Sequence, residues 1–446
     1  MKKLCISLSF VICNVSLLSA QTYGLEQILD SARQNNYAVR SAQYDVEIAE
    51  QQRKEAFTKY FPSVSGTGLW FNANRGMAKM SINPAEMIPA EMGATLSQML
   101  PAEALAALGN PVSLSMMKNG TIAGIQAMQP VFAGGQIING NKLAKVGEEV
   151  SRLQLQLSEN EVEKTAEQYF WQLASLQEKM KTIEAVEALL GDIRKNVDVA
   201  VEAGVAMRND MLQVQLRQND IARQKIKLQN GLSLVRMLLS QYCGLQDTAF
   251  VITYQPDAVS PLSAREDHQQ ALPRTAEYQL LDKQVEAANL QMKMAVGQNM
   301  PTVAVGAGYN YHNLLDNDRT FAMLFATVSI PITDWWGGSH AIKRKKIEQQ
   351  KAKEQLADNE ELLKIRMQNA WNGVVESYQQ LLLAQSSIEQ AEENLRLNRN
   401  YYDAGTSKMS DLLEAQLLYQ QACDQRTDAF ADYHNKMLEY RHAIGL

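Results

Sequence analysis

The run from Pro331 to Leu446 repeats the run from Pro130 to Leu245 almost register for register, and no other feature constrains the fold as strongly. Each copy opens on a short apolar segment containing Pro (Gln129-Pro130-Val131-Phe132; Ile330-Pro331-Ile332) followed by a glycine pair, Gly134-Gly135 or Gly337-Gly338. Roughly seventy residues later comes Ala203-Gly204 or Ala404-Gly405, in line with two copies of one supersecondary unit. An acid follows each second glycine (Asp210, Asp411), then a shared Gln (Gln215, Gln416), and Gly-Leu closes each copy (Gly244-Leu245, Gly445-Leu446).

Neither copy contains proline after its opening one, and both are dense in Ala, Leu, Gln, Glu, Lys and Arg. Each therefore reads as a very long helix broken once, at Ala-Gly, where glycine can take the left-handed conformation that closes a helix. Residues 137 to 203 predict about 100 Å of helix, and the return over 209 to 242 roughly half that. No compact core needs a helix of that length.

The doubling extends upstream. Tyr23 to Tyr60 is helical in pattern and has a weaker partner at about Ala276 to Asn299, aligned through Val46 with Val285 and Pro62 with Pro301. The expected organisation is a leader at 1–20, a first repeat at 21–245, a connector at 246–275 marked by Pro256, Pro261 and Pro273, and a second repeat at 276–446 with no tail beyond it.

Lys2 and Lys3, an apolar stretch from Leu4 to Leu18, and Ser19-Ala20-Gln21 have the layout of a secretory signal peptide. Its removal leaves Cys243 and Cys423, which are not at equivalent repeat positions and are not expected to pair. Nowhere after the leader is there an apolar run long enough for a membrane helix, so an exported chain of this kind can enter a membrane only as a closed β-barrel.

Four strand candidates sit where the helices stop: Pro62 to Asn72, Gly120 to Phe132, Pro301 to Asn313 and Thr320 to Ile332. About ten residues is the length a tilted strand needs to cross hydrocarbon, though a water-soluble hairpin has the same pattern. Tyr60, Phe61, Trp70, Phe71, Trp335 and Trp336 cluster at the strand ends, as an interfacial belt or as core aromatics. Four strands cannot close a barrel, so copies must pool them, and three chains give about twelve strands.

Between the first two strands lies an insertion, 73–119, with seven methionines from Met77 to Met117. Thioethers can gather a soft ion, but with no Cys or His in the segment the favoured reading is a loop whose methionines fill apolar gaps, and no metal site is assigned. The formal charge of −6 gives no reason to expect nucleic acid. The five histidines are scattered, and no phosphate loop, nucleophile elbow or paired-Cys motif occurs, so neither an enzyme nor a cofactor is expected.

Two turn motifs carry a specific resemblance: Ala203-Gly204-Val205-Ala206-Met207-Arg208-Asn209-Asp210, and Tyr402-Asp403-Ala404-Gly405-Thr406-Ser407-Lys408-Met409-Ser410-Asp411 with Leu412-Leu413-Glu414-Ala415-Gln416. The chain resembles the TolC-like outer membrane factor (outer membrane efflux protein) family over essentially all of 21–446. The resemblance implies a mainly α protein with a membrane β-barrel: an α-helical coiled-coil barrel plus four strands per chain, pooled as a homotrimer. It implies contact with outer membrane lipid and helices extending into the periplasm.

In that family the turns form the periplasmic tip, which docks an adaptor protein and narrows to a gate. By resemblance, Gly204, Val205, Ala206, Gly405, Thr406 and Ser407 form the docking turns. Asp411 and Glu414 face inward as carboxylate rings that favour cations, Tyr402 matches the family's gate tyrosine, and Asp210 is the acid of the first turn. Asp411 also suits a helix N-terminus, where an acid is favoured anyway. Ser407 stands where the family often carries Arg, and Arg208 is the candidate basic partner.

The expected function is a passive trimeric exit duct of a tripartite efflux pump, supplied by an inner-membrane pump and a periplasmic adaptor. The exit duct of a type I protein secretion system uses the same architecture. A periplasmic coiled-coil scaffold is the alternative from another class.

Overall fold

The computed structural model describes residues 22–89, 92, 99–108, 110–246, 248–255, 264–314, 317–332 and 334–446. The expected leader lies outside the described residues, as do parts of the insertion and of the connector. Among the described residues no helix is long and apolar enough to cross a membrane.

In chain order the elements are β1 (Thr22–Tyr23), α1 (Leu25–Asn35), α2 (Tyr37–Thr58), β2 (Ser63–Asn72), β3 (Ala78–Ile82), α3 (Ala102–Leu108), β4 (Val112–Met116), β5 (Asn119–Ala133), α4 (Gln136–Glu202) and α5 (Arg208–Cys243). There follow β6 (Val251–Ile252), α6 (His268–Ala271), α7 (Ala276–Gln298), β7 (Thr302–Leu314), β8 (Asn317–Ser329), α8 (Asp334–Asp403) and α9 (Met409–Ala443). The helix pairs are 67 and 36 residues, then 70 and 35 residues. Each pair matches the long helix and shorter return expected from the proline-free runs.

Two compact units divide the chain, one of residues 51–145 and 287–350, the other of 1–50, 146–286 and 351–446. The first unit is built on an antiparallel four-stranded sheet of order β2-β5-β7-β8. Facing residues alternate strictly: Gly66 pairs with Ile125, Ile125 with Tyr309 and Tyr309 with Ala322, so these four share one face. The same face carries Val64, Trp70, Leu324 and Val328, all exposed. Gln126, Asn310, His312 and Arg319 lie on the other face with Phe321, Met323 and Phe325. Pro130 has no N–H to give the ladder, and the β5·β7 register shifts between Pro130 and Phe132.

Gly134 closes β5 at φ +58°, against Gly297 at the end of α7; a Cβ on either residue would collide with the other's backbone. Gly337 and Gly338 occupy the corresponding sequence position but lie inside the first turns of α8, so the two glycine pairs share spacing without sharing conformation.

Three expectations change. The helix expected over Tyr23 to Tyr60 is two helices, because Asn36 leaves helical geometry at ψ 135° and its side chain accepts from the Ala38 N–H at 2.8 Å. Asparagine competes for backbone groups in this way and so ends one helix while starting the next. The Met-rich insertion, expected as a loop, holds secondary structure of its own: β3 pairs antiparallel with β4, and α3 lies between them. Met77, Met80, Met87, Met92 and Met99 are exposed in the chain rather than packed into a core among the described residues. Tyr60, Phe61, Trp70 and Trp336 are likewise exposed, which excludes them from the core of this chain.

The second unit holds two apolar cores. The larger gathers Ile28, Phe170, Trp171, Leu173, Leu239, Phe250, Tyr433 and Tyr440, with the parallel β1·β6 pair beside it through Tyr23 and Ile252. Asn35 and Asn36 donate to the last carbonyls of α5, Cys243 at 3.2 Å and Tyr242 at 3.1 Å, tying α1 to the end of the return helix. Cys243 and Cys423 are both free thiols. The smaller core fills the ends of the long helices, as described next.

Candidate gate at the paired turns

Both turns end their long helix by the same device. Gly204 at φ +76° and Gly405 at φ +71° adopt the left-handed conformation, with nothing within 4 Å of where a Cβ would stand, so the requirement for glycine is purely conformational. The N–H groups of Val205 and Thr406 reach back to the carbonyls of Ala200 and Tyr401, each at 2.9 Å, satisfying carbonyls that the helix end leaves orphaned.

The return helices are capped by their third residues. Asp210 Oδ2 accepts from the Met207 N–H at 3.1 Å, and Asp411 Oδ2 from the Lys408 N–H at 3.2 Å. Met207 and Lys408 have no side-chain acceptor, so the carboxylate supplies one half of a capping box alone. Ser410 Oγ donates to Asp411 Oδ1 at 3.0 Å. The shared acid six residues after each glycine thus has a local structural job in both turns, and it complements the helix dipole as well.

Behind the turns lies the smaller core: Ile183, Val186, Leu190, Ile193 and Val197 from α4, Val214 and Ile221 from α5, Met409 and Leu412 from α9. Tyr402 is half-buried against it. Burial raises the Tyr402 hydroxyl pKa, and the negative charges of Asp210 and Asp403 raise it further. The tyrosine of one turn therefore sits in the field of the acid of the other.

Of the residues expected here, the fold brings Tyr402 and Asp210 together. Asp411 and Glu414 are exposed, one helical turn apart on α9. Arg208 is exposed and makes no ion pair among the described residues. Gly204, Val205, Gly405 and Thr406 project into solvent, Ala206 is half-buried, and the Ser407 hydroxyl is buried without a partner among the described residues.

A second group was not anticipated. Arg217 on α5 donates from Nε to Gln416 Oε1 at 2.9 Å and from Nη2 to Gln420 Oε1 at 2.8 Å, so one guanidinium spans a turn of α9. Gln420 Nε2 donates back to Gln224 Oε1 at 2.7 Å. The sequence signal was the shared Gln, but its two copies behave differently: Gln215 is exposed and Gln416 is fully buried. The pair Gln416 and Gln420, four residues apart on one helix face, was the remaining clue.

The open sheet of one unit and the twice-turned long helices of the other give the chain the fold of solved outer membrane channels. Residues 268–446 match the model of the outer membrane efflux protein family. The chain is similar to the CmeC outer membrane channel of Campylobacter jejuni, with TM-score 0.74 and 14% identity over 94% of this chain and 85% of that one. It is similar to VceC of Vibrio cholerae at TM-score 0.73 and 13% identity over 94% and 96% of the two chains. The open-state MtrE outer membrane channel of Neisseria gonorrhoeae matches at TM-score 0.70 and 14% identity over 94% and 88%. No curated protein matches the chain in sequence.

Proposed function

We propose that three copies of this chain pool their sheets into one barrel of about twelve strands in the outer membrane and form, with their helices, a periplasmic exit duct. In this reading the duct is the outlet of a tripartite efflux assembly. An inner-membrane pump supplies small molecules, and a periplasmic adaptor docks on the turns at Gly204 to Ala206 and Gly405 to Ser407. The two halves of the chain are read as an internal duplication, each giving two strands and one helical hairpin.

The observation that carries this reading is the four-stranded sheet itself. Its outer strands β2 and β8 each lack a neighbour on one side among the described residues, and open edges of that length invite pairing with another chain. One face is apolar and exposed, with Leu324 at 86% and Val64 at 68%, which suits contact with lipid. The opposite face is mixed, with Gln126, Asn310, His312 and Arg319 beside Phe321, Met323 and Phe325, and its polar members suit a lumen better than lipid. A periplasmic scaffold has no use for a sheet of this kind, and its exposed apolar face weighs against that alternative.

At the tip, threefold symmetry repeats Asp411 and Glu414 into rings of carboxylate that favour cations. Asp411 caps α9 through Oδ2 and accepts from Ser410 Oγ through Oδ1, and the carboxylate stays exposed. Purified wild-type protein in planar bilayers should pass cations over anions, and Asp411→Asn with Glu414→Gln should reduce that preference by about twofold or more. Unchanged reversal potentials in a salt gradient would rule out these carboxylates as the selectivity-setting constriction.

A further inference from the structure

All four helix connections leave the sheet from one end, where Ala133 pairs with Thr302 and Thr302 with Ser329. The residues around that end, 51–62, 134–145, 287–301 and 330–350, carry ten Lys and Arg against three Asp and Glu, in a chain whose formal charge is −6. The densest run is Lys343-Arg344-Lys345-Lys346, near the start of α8. Four consecutive residues cover about 300° of a helix, so such a run presents charge nearly all round. Lys345 turns to α7, donating to Gln291 Oε1 at 3.0 Å, and also donates to Glu348 Oε2 at 2.6 Å. Arg344 shares that carboxylate at 3.7 Å. Lys343 and Lys346 are exposed and form no ion pair among the described residues, and the same holds for Lys54 and Lys59 around the end of α2. Neighbouring like charges on a helix repel, so the counter-charge for this rim has to come from outside the chain.

Aromatic rings lie between this charge and the apolar sheet. Phe57 meets Tyr60 and Phe61 edge-on, each pair at 5.6 Å, yet all three are exposed. Trp336, in the first turn of α8, is 83% exposed. Rings in this position suit the boundary between hydrocarbon and headgroups. At 1.5 Å per residue, Lys343 to Lys346 stand about 10–15 Å beyond Trp336 along α8. Side chains on a helix lean towards its N-terminus, here back towards Trp336, and flexible Lys and Arg stems carry their charge several Å further. A headgroup layer about 5–8 Å deep is therefore within their reach.

We propose that this rim binds the anionic headgroups of phospholipids in the membrane leaflet on the helix side, with phosphate on Lys343, Arg344 and Lys346 and with Trp336 at the hydrocarbon boundary. The proposal rests on the reading of the sheet as membrane-embedded. An acidic protein partner would supply negative charge but has no use for exposed rings between the cations and an apolar sheet. A phospholipid carries both chemistries in the same order, acyl chain against the sheet and phosphate against the cations.

The test counts lipids bound to the native particle in mild detergent by native mass spectrometry, with phosphatidylglycerol or phosphatidylcholine added at equal concentration. Wild-type protein should hold phosphatidylglycerol at least tenfold more tightly than phosphatidylcholine, and raised salt should narrow the difference. Lys343→Gln with Arg344→Gln and Lys346→Gln should weaken phosphatidylglycerol binding by about fivefold per charge removed and leave phosphatidylcholine binding unchanged. Lys343→Arg with Lys346→Arg keeps the charge and should retain wild-type selectivity, which separates a headgroup site from a folding defect. Equal binding of the two lipids by wild-type protein, or undiminished selectivity in the triple variant, overturns the headgroup site while leaving the duct intact. Wild-type protein recovered as an aqueous monomer that carries no lipid overturns the membrane reading, and the site with it.

Discussion

His434 stacks on Trp171 with ring centroids 3.9 Å apart and an interplanar angle of 17°, and Phe430 closes a second side at 4.6 Å. Burial, aided by the charge of Arg441, lowers its pKa to about 4. The folded protein thus holds His434 neutral where the unfolded chain protonates it. Its contribution to stability is complete above the ordinary histidine range and is lost as pH falls from about 6.5 towards 4. His442 is depressed by burial in the same direction, whereas Glu167, raised mainly by burial and bonded to Trp171 Nε1 at 3.0 Å, takes up a proton more readily when folded and offsets part of the loss. Between pH 7 and pH 5 the wild-type protein should lose about 1–2 kcal/mol through His434. His434→Phe, which keeps a ring on Trp171, should show a shallower fall in thermal midpoint over that interval. An identical pH profile in the two proteins would mean that His434 titrates normally in the folded state.

The elements were legible where proline and glycine punctuate the chain. Pro62, Pro301 and the Gly204 and Gly405 stops fix strand and helix ends to within a residue or so, because each imposes a backbone geometry that does not depend on tertiary context. Asn36 imposes nothing so strict: asparagine interrupts a helix only where its side chain finds better partners, here the Ala38 N–H and the Tyr242 carbonyl at the far end of α5. That second partner lies in another element, beyond the reach of local pattern. Replacing Asn36 with Ala should cost about 1–2 kcal/mol, through one lost cap and one unpaired carbonyl, measured by denaturant unfolding in detergent. A neutral effect would show that the α1–α2 break is held by packing alone. The β3·β4 hairpin of the insertion was hidden for a related reason. Its strands are separated by a long intervening segment containing α3, so no tight-turn dipeptide announces the pairing.

The candidate site divides along the same line. Asp210 and Asp411 were visible as a shared spacing, and their capping bonds are local enough to follow from it. Arg217 was invisible, because whether a helical Arg or Gln faces solvent or a neighbouring helix depends on which face packs. The element-level picture is two return helices joined at the tip by an apolar layer that continues to Ile221, with the polar group of Arg217, Gln416 and Gln420 alongside it.

At the scale of the whole molecule, the decisive property is the sheet's open edges. Among the described residues β2 and β8 each have one unpaired side, and in hydrocarbon every such backbone group must be satisfied, so under the proposed function a lone chain could not be the membrane-embedded species. The proposed closure by three copies would remove every edge and turn the apolar face outward. The most direct test is the protein mass of the native particle, extracted in mild detergent and measured by light scattering with the detergent contribution subtracted. The account predicts about 150 kDa, three chains of 49.9 kDa, or slightly less where residues 1–20 have been removed. A monodisperse monomer recovered from the aqueous fraction without detergent would contradict it.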